Sequence, residues 1–137
     1  MINDQGVKSA IARDWRVVRR FCEGSHRQWL SPGGGFINET PPEDFYNLPF
    51  LLAYAILDQV LDELLDQGAF QCHMKRPLLG DKMFASRELI PWRDYDLVNT
   101  GRRARNELAH EAKLLPRDQC FAFIDAIEAE LKEWGIL

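Results

Sequence analysis

Apolar residues recur at helical spacing along four stretches of the chain. In residues 4–24 a stripe of apolar side chains repeats every three or four positions: Val7, Ile11, Trp15, Val18 and Cys22. This period predicts an amphipathic helix, and Gly24 is the expected C-terminal stop.

The longest apolar stretch, residues 45–68, predicts a central helix. Its stripe is wide, which is typical of a helix that has neighbours on two sides. Thr40 and Glu43 precede it at the spacing of a capping box. Pro49 disfavours a helical Leu48, so we expect a kink or a restart of the helix at that point.

Two connecting segments carry no clear period. Residues 31–40 contain three successive glycines and predict a linker without regular structure. Residues 69–91 are irregular and predict a short helix or a lid-like loop, since long connections inside a domain are often functional or mobile.

Two further helices are predicted in the C-terminal part, over residues 92–115 and 116–134. Pro116 separates them and Gly135 ends the second one. The inner stripe of the last helix consists of Cys120, Ile124, Ile127 and Leu131. Nothing in the pattern indicates a strand, so the sequence predicts a single all-α domain over residues 1–137, an up-down bundle of four to five helices.

Composition and charge narrow the classes of function. The chain has 137 residues, 46% hydrophobic and 28% charged, which argues against large-scale disorder. A net charge of −4 argues against nonspecific coating of nucleic acid. The charge is uneven: residues 8–27 are basic and residues 118–133 are acidic, so the first and last helices can pair within the monomer or across a dimer.

The cysteines and the apolar segments indicate the cellular compartment and whether a metal is bound. Three cysteines, no signal-like N-terminal segment and no apolar run of membrane length predict a reduced, cytoplasmic chain without a membrane segment. Cys22 with His26, or Cys72 with His73, could be zinc ligands, but four ligands would have to converge from three distant segments. We therefore expect no metal and no cofactor.

The helix over residues 92–115 has an unusual polar group. On a helical wheel centred at Leu108, the apolar or small residues that fall within about 40° form an inward stripe: Leu97, Gly101, Ala104, Ala112 and Leu115. Asn106 and His110 fall on the opposite side, and Arg105 lies between the two faces. This polar group is expected to face water or a partner. A solvated surface with an Arg103–Glu107 ion pair is the simplest explanation.

The segment RNELAH, residues 105–110, resembles the Arg-polar-x-x-x-His motif of the HEPN superfamily. These are small all-α domains found in prokaryotic toxins, abortive-infection proteins and RNA-processing enzymes. The resemblance implies a HEPN-like fold and metal-independent RNA cleavage at a cleft between two chains. In that case His110 is a general base or acid, Arg105 holds the scissile phosphate, and Asn106 orients the imidazole or the phosphate.

The residue types suit this chemistry. Histidine exchanges protons near neutral pH, arginine grips phosphate through a planar fork, and attack by a ribose 2′-hydroxyl needs positioning and charge stabilisation. Arg105 and His110 lie about 140° apart on the wheel, so one chain is not expected to bring both to one phosphate. We therefore predict a two-fold homodimer through this helix, with a composite site.

Basic residues near the motif and on the first helix are candidates for binding the RNA backbone. Arg102, Arg103 and Lys113 are predicted to contact RNA. A second basic group on the first helix could extend the RNA-binding surface, although a solvated face is favoured for it: Arg13, Arg16 and Arg20.

The resemblance also implies an antitoxin partner, often nucleotidyltransferase-like. The alternatives are a non-catalytic HEPN-like module that binds RNA or a partner, and a helical interaction protein.

Overall fold

A computed structural model describes residues 1–23 and 27–137, with the backbone alone at residues 27–29 and 37–39. In these ranges the chain is an all-α bundle, as predicted. Its five helices are α1 (Gln5–Glu23), α2 (Asn47–Asp66), α3 (Leu79–Ser86), α4 (Tyr95–Glu111) and α5 (Arg117–Glu133). The predicted stop at Gly24 lies outside the described residues.

Helix α2 lies at the centre and packs against α1 and α5. Its wide apolar stripe fills the core, and the predicted stripes of its two neighbours meet it. The fully buried apolar side chains of α2 include Phe50, Tyr54, Leu57, Leu61 and Leu64, and those of α5 include Ile124, Ile127 and Leu131. Burial of these side chains is the main source of stability.

The start of α2 differs from the prediction. Thr40 does not cap it: a 3-10 helix, Glu43–Tyr46, follows Pro42 without a side-chain cap, and α2 then begins at Asn47. The expected restart therefore occurs, two residues before Pro49. Pro49 is tolerated because it lies in the first turn, where backbone N–H groups have no partner within the helix.

Asn47 joins the start of α2 to the turn between α4 and α5. Its side-chain amide donates to the carbonyl oxygens of Asp44 (3.0 Å) and Leu115 (2.9 Å). Its Oδ1 accepts from the backbone N–H of Leu115 at 3.0 Å. The side chain is 4% exposed, so these bonds satisfy a polar group that would be costly to bury alone.

The prediction of a linker without regular structure over residues 31–40 is wrong for residues 36–39, which form a strand. Strands β1 (Arg27–Leu30) and β2 (Phe36–Glu39) pair antiparallel, with Leu30 opposite Phe36. The Ser31 N–H donates to the Gly35 carbonyl at 2.7 Å, and Gly34 has a φ of 85°, which favours glycine. Strands of four residues are too short to give a recognisable period.

Helix α3 resolves the open prediction for residues 69–91 in favour of a short helix. Its Lys82 is 3% exposed and forms ion pairs with Asp58 and Asp62 of α2. Burial acts to lower the pKa of Lys82, but the two carboxylates outweigh it and the pKa is raised. These ion pairs hold α3 on α2, so this segment is not a free lid.

A glycine sets how closely α4 approaches the core. Gly101 is buried, and a Cβ atom there would overlap the Tyr54 hydroxyl and the Phe123 ring. The Tyr54 hydroxyl donates to the Val98 carbonyl at 2.8 Å, and burial raises the pKa of Tyr54. The contact fixes both the depth and the rotation of α4.

A buried carboxylate holds the N-terminus of α4. Glu130 of α5 is fully buried and accepts from the backbone N–H groups of Arg93 (2.7 Å) and Asp94 (2.6 Å). Asp94 in turn accepts from the Leu97 N–H at 3.2 Å, so α4 begins at Tyr95, later than predicted. Burial raises the pKa of Glu130 although both hydrogen bonds act to lower it.

The predicted pairing of the basic first helix with the acidic last helix is confirmed within one chain. Arg19 of α1 forms an ion pair with Asp125 of α5 at 2.8 Å and another with Glu128.

In the described residues, 1–23 and 27–137, none of the helices combines the length and the apolar character needed to span a bilayer.

Candidate functional site

The face that α4 turns toward the core is not the one the wheel predicts. Its buried residues are Val98 and Gly101, whereas Leu97 is 38% exposed and Leu108 is only half-buried. The inward face is therefore rotated toward Arg105. Of the polar group expected to face water or a partner, His110 is exposed, whereas Arg105 and Asn106 are half-buried.

A cavity of about 380 Å³ lies between α2, α3 and α4. One wall consists of four side chains of α4: Arg102, Arg105, Asn106 and His110. The opposite wall consists of residues 77–81, which lead into α3, and Asp58 of α2. The structure therefore brings the three residues of the predicted motif together with Arg102 in one chain.

Arg102 lies across the first turn of α3. Its Nε donates to Asn99 Oδ1 at 2.8 Å. Gly80 makes room for the guanidinium, since a Cβ atom there would lie 2.9 Å from Arg102 Nη1 and 3.1 Å from Cζ. The positive end of the α3 dipole lies at the same place, next to the Asp81 carboxylate that caps this helix.

Arg105 is half-buried beside Asn106. Its Nη1 donates to Asn106 Oδ1 at 3.4 Å, a long hydrogen bond. Among the side chains that the structure describes, no carboxylate lies within ion-pair distance of Arg102 or Arg105. Two guanidinium groups without a paired anion favour an anionic ligand, and phosphate fits their planar forks.

His110 lies in the last turn of α4 and is exposed. The helix ends directly after it, because Ala112 adopts the left-handed conformation with a φ of 51°. The imidazole thus lies at the open end of the cavity, one helical turn beyond Asn106. It can exchange protons both with solvent and with a ligand held by the arginines.

Arg105 and His110 of one chain lie closer together than their angle on the wheel indicates. Both line the same cavity. The wheel angle is correct for the backbone, but it neglects the length of the arginine side chain, which reaches around the helix.

The other predicted basic residues lie outside the cavity. Arg103 is exposed and does not line it, and Lys113 follows the end of α4, 3.4 Å from the Glu107 carboxylate. Glu107 therefore pairs with Lys113 and not with Arg103 as predicted. The basic residues of α1 are exposed and do not line the cavity either: Arg13, Arg16 and Arg20.

The residues of the second wall of the cavity carry little signal in the sequence. Asp58 has the spacing of a solvent-facing residue of α2, and no periodicity marks Gly80. One local signal exists: Asp81 follows Leu78 by three residues, the spacing of a capping contact. In the structure Asp81 Oδ2 accepts from the Leu78 N–H at 2.9 Å.

Two of the three cysteines, Cys22 and Cys120, are poor nucleophiles. His26 lies outside the described residues, and the residues that are described contain no group of three or more metal-ligating side chains. Burial raises the pKa of Cys22, and it raises that of Cys120 to about 11. Both thiols are therefore mostly protonated at neutral pH and react slowly.

Comparisons with known proteins give no relative: no family model, no curated protein and no solved structure matches the chain. What supports a function is therefore the chemistry of the cavity itself.

Proposed function

We propose that this chain is a metal-independent endoribonuclease of the HEPN type. The observation that carries the proposal is the cavity in which Arg105, Asn106 and His110 lie together with Arg102. Two guanidinium groups without a carboxylate partner, an amide and an exposed imidazole form a set that fits an RNA phosphodiester.

The reaction follows from these groups. Arg102 and Arg105 hold the scissile phosphate and stabilise the charge that develops on it. His110 removes the proton of the ribose 2′-hydroxyl, whose oxygen attacks the phosphorus while the bond to the 5′-oxygen breaks. Asn106 orients the imidazole or the phosphate. The products are a 2′,3′-cyclic phosphate and a 5′-hydroxyl, with a proton delivered to the leaving 5′-oxygen.

A homodimer remains part of the proposal. His110 is the one histidine that lines the cavity in the described part of the chain, and a single imidazole cannot be the base and the acid in the same step. A second copy, packed through the exposed face of α4, would supply the second imidazole. Light scattering is expected to give a mass of two chains, and a monomer that cleaves RNA at full rate would exclude the composite site.

The test is RNA cleavage by purified protein in EDTA. The parent is expected to cleave single-stranded RNA, and His110→Ala and Arg105→Ala are expected to abolish it. His73→Ala and Arg93→Ala are matched controls, because both residues are exposed and lie outside the cavity. Salt-sensitive binding without cleavage would instead support the non-catalytic RNA-binding module. Neither binding nor cleavage would leave the helical interaction protein.

We also propose a toxin or defence role, with an antitoxin protein as partner. The motif resemblance in residues 105–110 supports this part of the proposal. Expression of the chain is expected to arrest growth, and His110→Ala is expected to relieve the arrest. Growth arrest that persists in His110→Ala would separate toxicity from the cavity.

A further inference from the structure

The two walls of the cavity have opposite chemistry. The α4 wall is cationic, through Arg102 and Arg105. The opposite wall carries two carboxylates, Asp58 and Asp81, and an apolar lip, residues 77–79. A ligand with an anion at one end and hydrogen-bond donors at the other would satisfy both walls.

We propose that the cavity is a base-selective nucleotide subsite in which Asp58 recognises the base and prefers guanine to uracil. The inference rests on the proposed function, since it places the phosphate of the bound nucleotide against the α4 arginines. It adds which nucleotide is accepted and which residue selects it.

The lip suits a base rather than a second phosphate. Leu78 is 75% exposed and Pro77 is half-buried, so the lip presents apolar surface next to the cationic wall. Flipped or unpaired bases lie against apolar side chains in this way. A cavity of about 380 Å³ suits one nucleotide and not a base pair, so the bound nucleotide is unpaired.

Asp58 is held in place to accept hydrogen bonds. One of its oxygens pairs with buried Lys82, which fixes the carboxylate, while the side chain is 37% exposed. An ionised carboxylate has acceptor sites on both oxygens, so the second oxygen remains for a ligand. Asp81 likewise has one oxygen engaged, by the Leu78 N–H, but among the described side chains it has no buried cation to fix it as Lys82 fixes Asp58.

Base chemistry then sets the order of preference. Guanine presents two adjacent donors, N1–H and the exocyclic amino group, and both can reach the one Asp58 oxygen that Lys82 leaves free. Cytosine and adenine present one amino donor beside an acceptor nitrogen. Uracil presents one N–H between two carbonyl oxygens, which a carboxylate repels. Asp58 should therefore favour guanine most and uracil least.

The test compares the affinity of the full chain for 3′-GMP and 3′-UMP by calorimetry. The parent is expected to bind 3′-GMP about tenfold more tightly. Asp58→Asn is expected to remove this preference, because the amide places a donor where the base also has donors. Asp62→Asn is the matched control: it too removes one carboxylate from Lys82, but Asp62 does not line the cavity.

The ratio of the two affinities is the readout, because a general loss of stability in Asp58→Asn weakens both nucleotides alike. Equal binding of the two nucleotides by the parent, no binding of either, or the same loss of preference in Asp62→Asn would each overturn the inference. RNA cleavage without preference for guanine would overturn it and leave the nuclease proposal intact. Guanine-selective binding without any cleavage would support it and remove the nuclease.

Discussion

Arginines in two regions of this protein differ in whether a carboxylate forms an ion pair with them. On the face between α1 and α5, Arg19 lies between the carboxylates of Asp125 and Glu128. In the cavity, Arg102 and Arg105 contact amide oxygens and Gly80 but have no such carboxylate. An arginine in a direct ion pair acts in packing, whereas two arginines that line a concave site without a direct ion pair can bind an anionic ligand, with Asp58 and Asp81 on the opposite wall.

The largest expected effect is the contrast between Arg105→Ala and Arg19→Ala. The first removes a charge that the proposed transition state needs, so RNA cleavage should fall roughly 100-fold or more. The second should leave the cleavage rate unchanged and lower the free energy of unfolding by about 1 kcal/mol or less. Single-turnover kinetics and urea unfolding measure the two effects. Equal losses of activity would remove the distinction between the two regions.

Gly101→Ala should be the most destabilising single change near the site. Its Cβ atom would overlap the Tyr54 hydroxyl and the Phe123 ring, and overpacking of this kind costs about 2 kcal/mol or more. The added methyl group also moves α4, so RNA binding should weaken. In urea unfolding, Tyr54→Phe in the same chain should recover part of the loss. An unchanged unfolding midpoint for Gly101→Ala would contradict the close packing.

Gly80→Ala should act through Arg102. The new Cβ atom would lie 2.9 Å from Nη1 and displace the guanidinium, so RNA affinity should fall several-fold and the salt slope by roughly one. Because both changes affect one contact, Gly80→Ala should have little further effect in an Arg102→Ala background. Fluorescence anisotropy at several salt concentrations provides the measurement, and additive effects would show that the glycine acts elsewhere.

The smallest effect concerns pH and Glu130. Burial raises its pKa above the usual 4.5, so the folded chain binds this proton more tightly than the unfolded chain does. The contribution of Glu130 to stability is therefore largest below about pH 4.5 and declines as pH rises through the raised pKa. Relative to Glu130→Gln, the parent should lose stability across that range in thermal unfolding. A constant difference between the two would contradict the raised pKa.

The sequence predicted the bundle well because its core helices are long and strongly periodic. The stripes that contain Trp15, Leu57 and Ile127 became the core. The hairpin was missed because β2 has only four residues after a glycine-rich turn. Short strands leave too few positions for a period.

The site was predicted in part. The motif residues Arg105, Asn106 and His110 were singled out, but the rotation of α4 was not. That rotation depends on the fit of Gly101 against Tyr54, a contact between helices that a wheel drawn for one helix does not contain. Asp58 was missed for the same reason, since only the packing of α3 on α2 places it at the cavity.

The most direct test of the nuclease is the chemistry of the RNA ends that it leaves in EDTA. Attack by the 2′-hydroxyl leaves 2′,3′-cyclic phosphate and 5′-hydroxyl ends, so we expect these ends from the parent and intact RNA from His110→Ala. Products with 5′-phosphate ends, or cleavage that persists without His110, would contradict it.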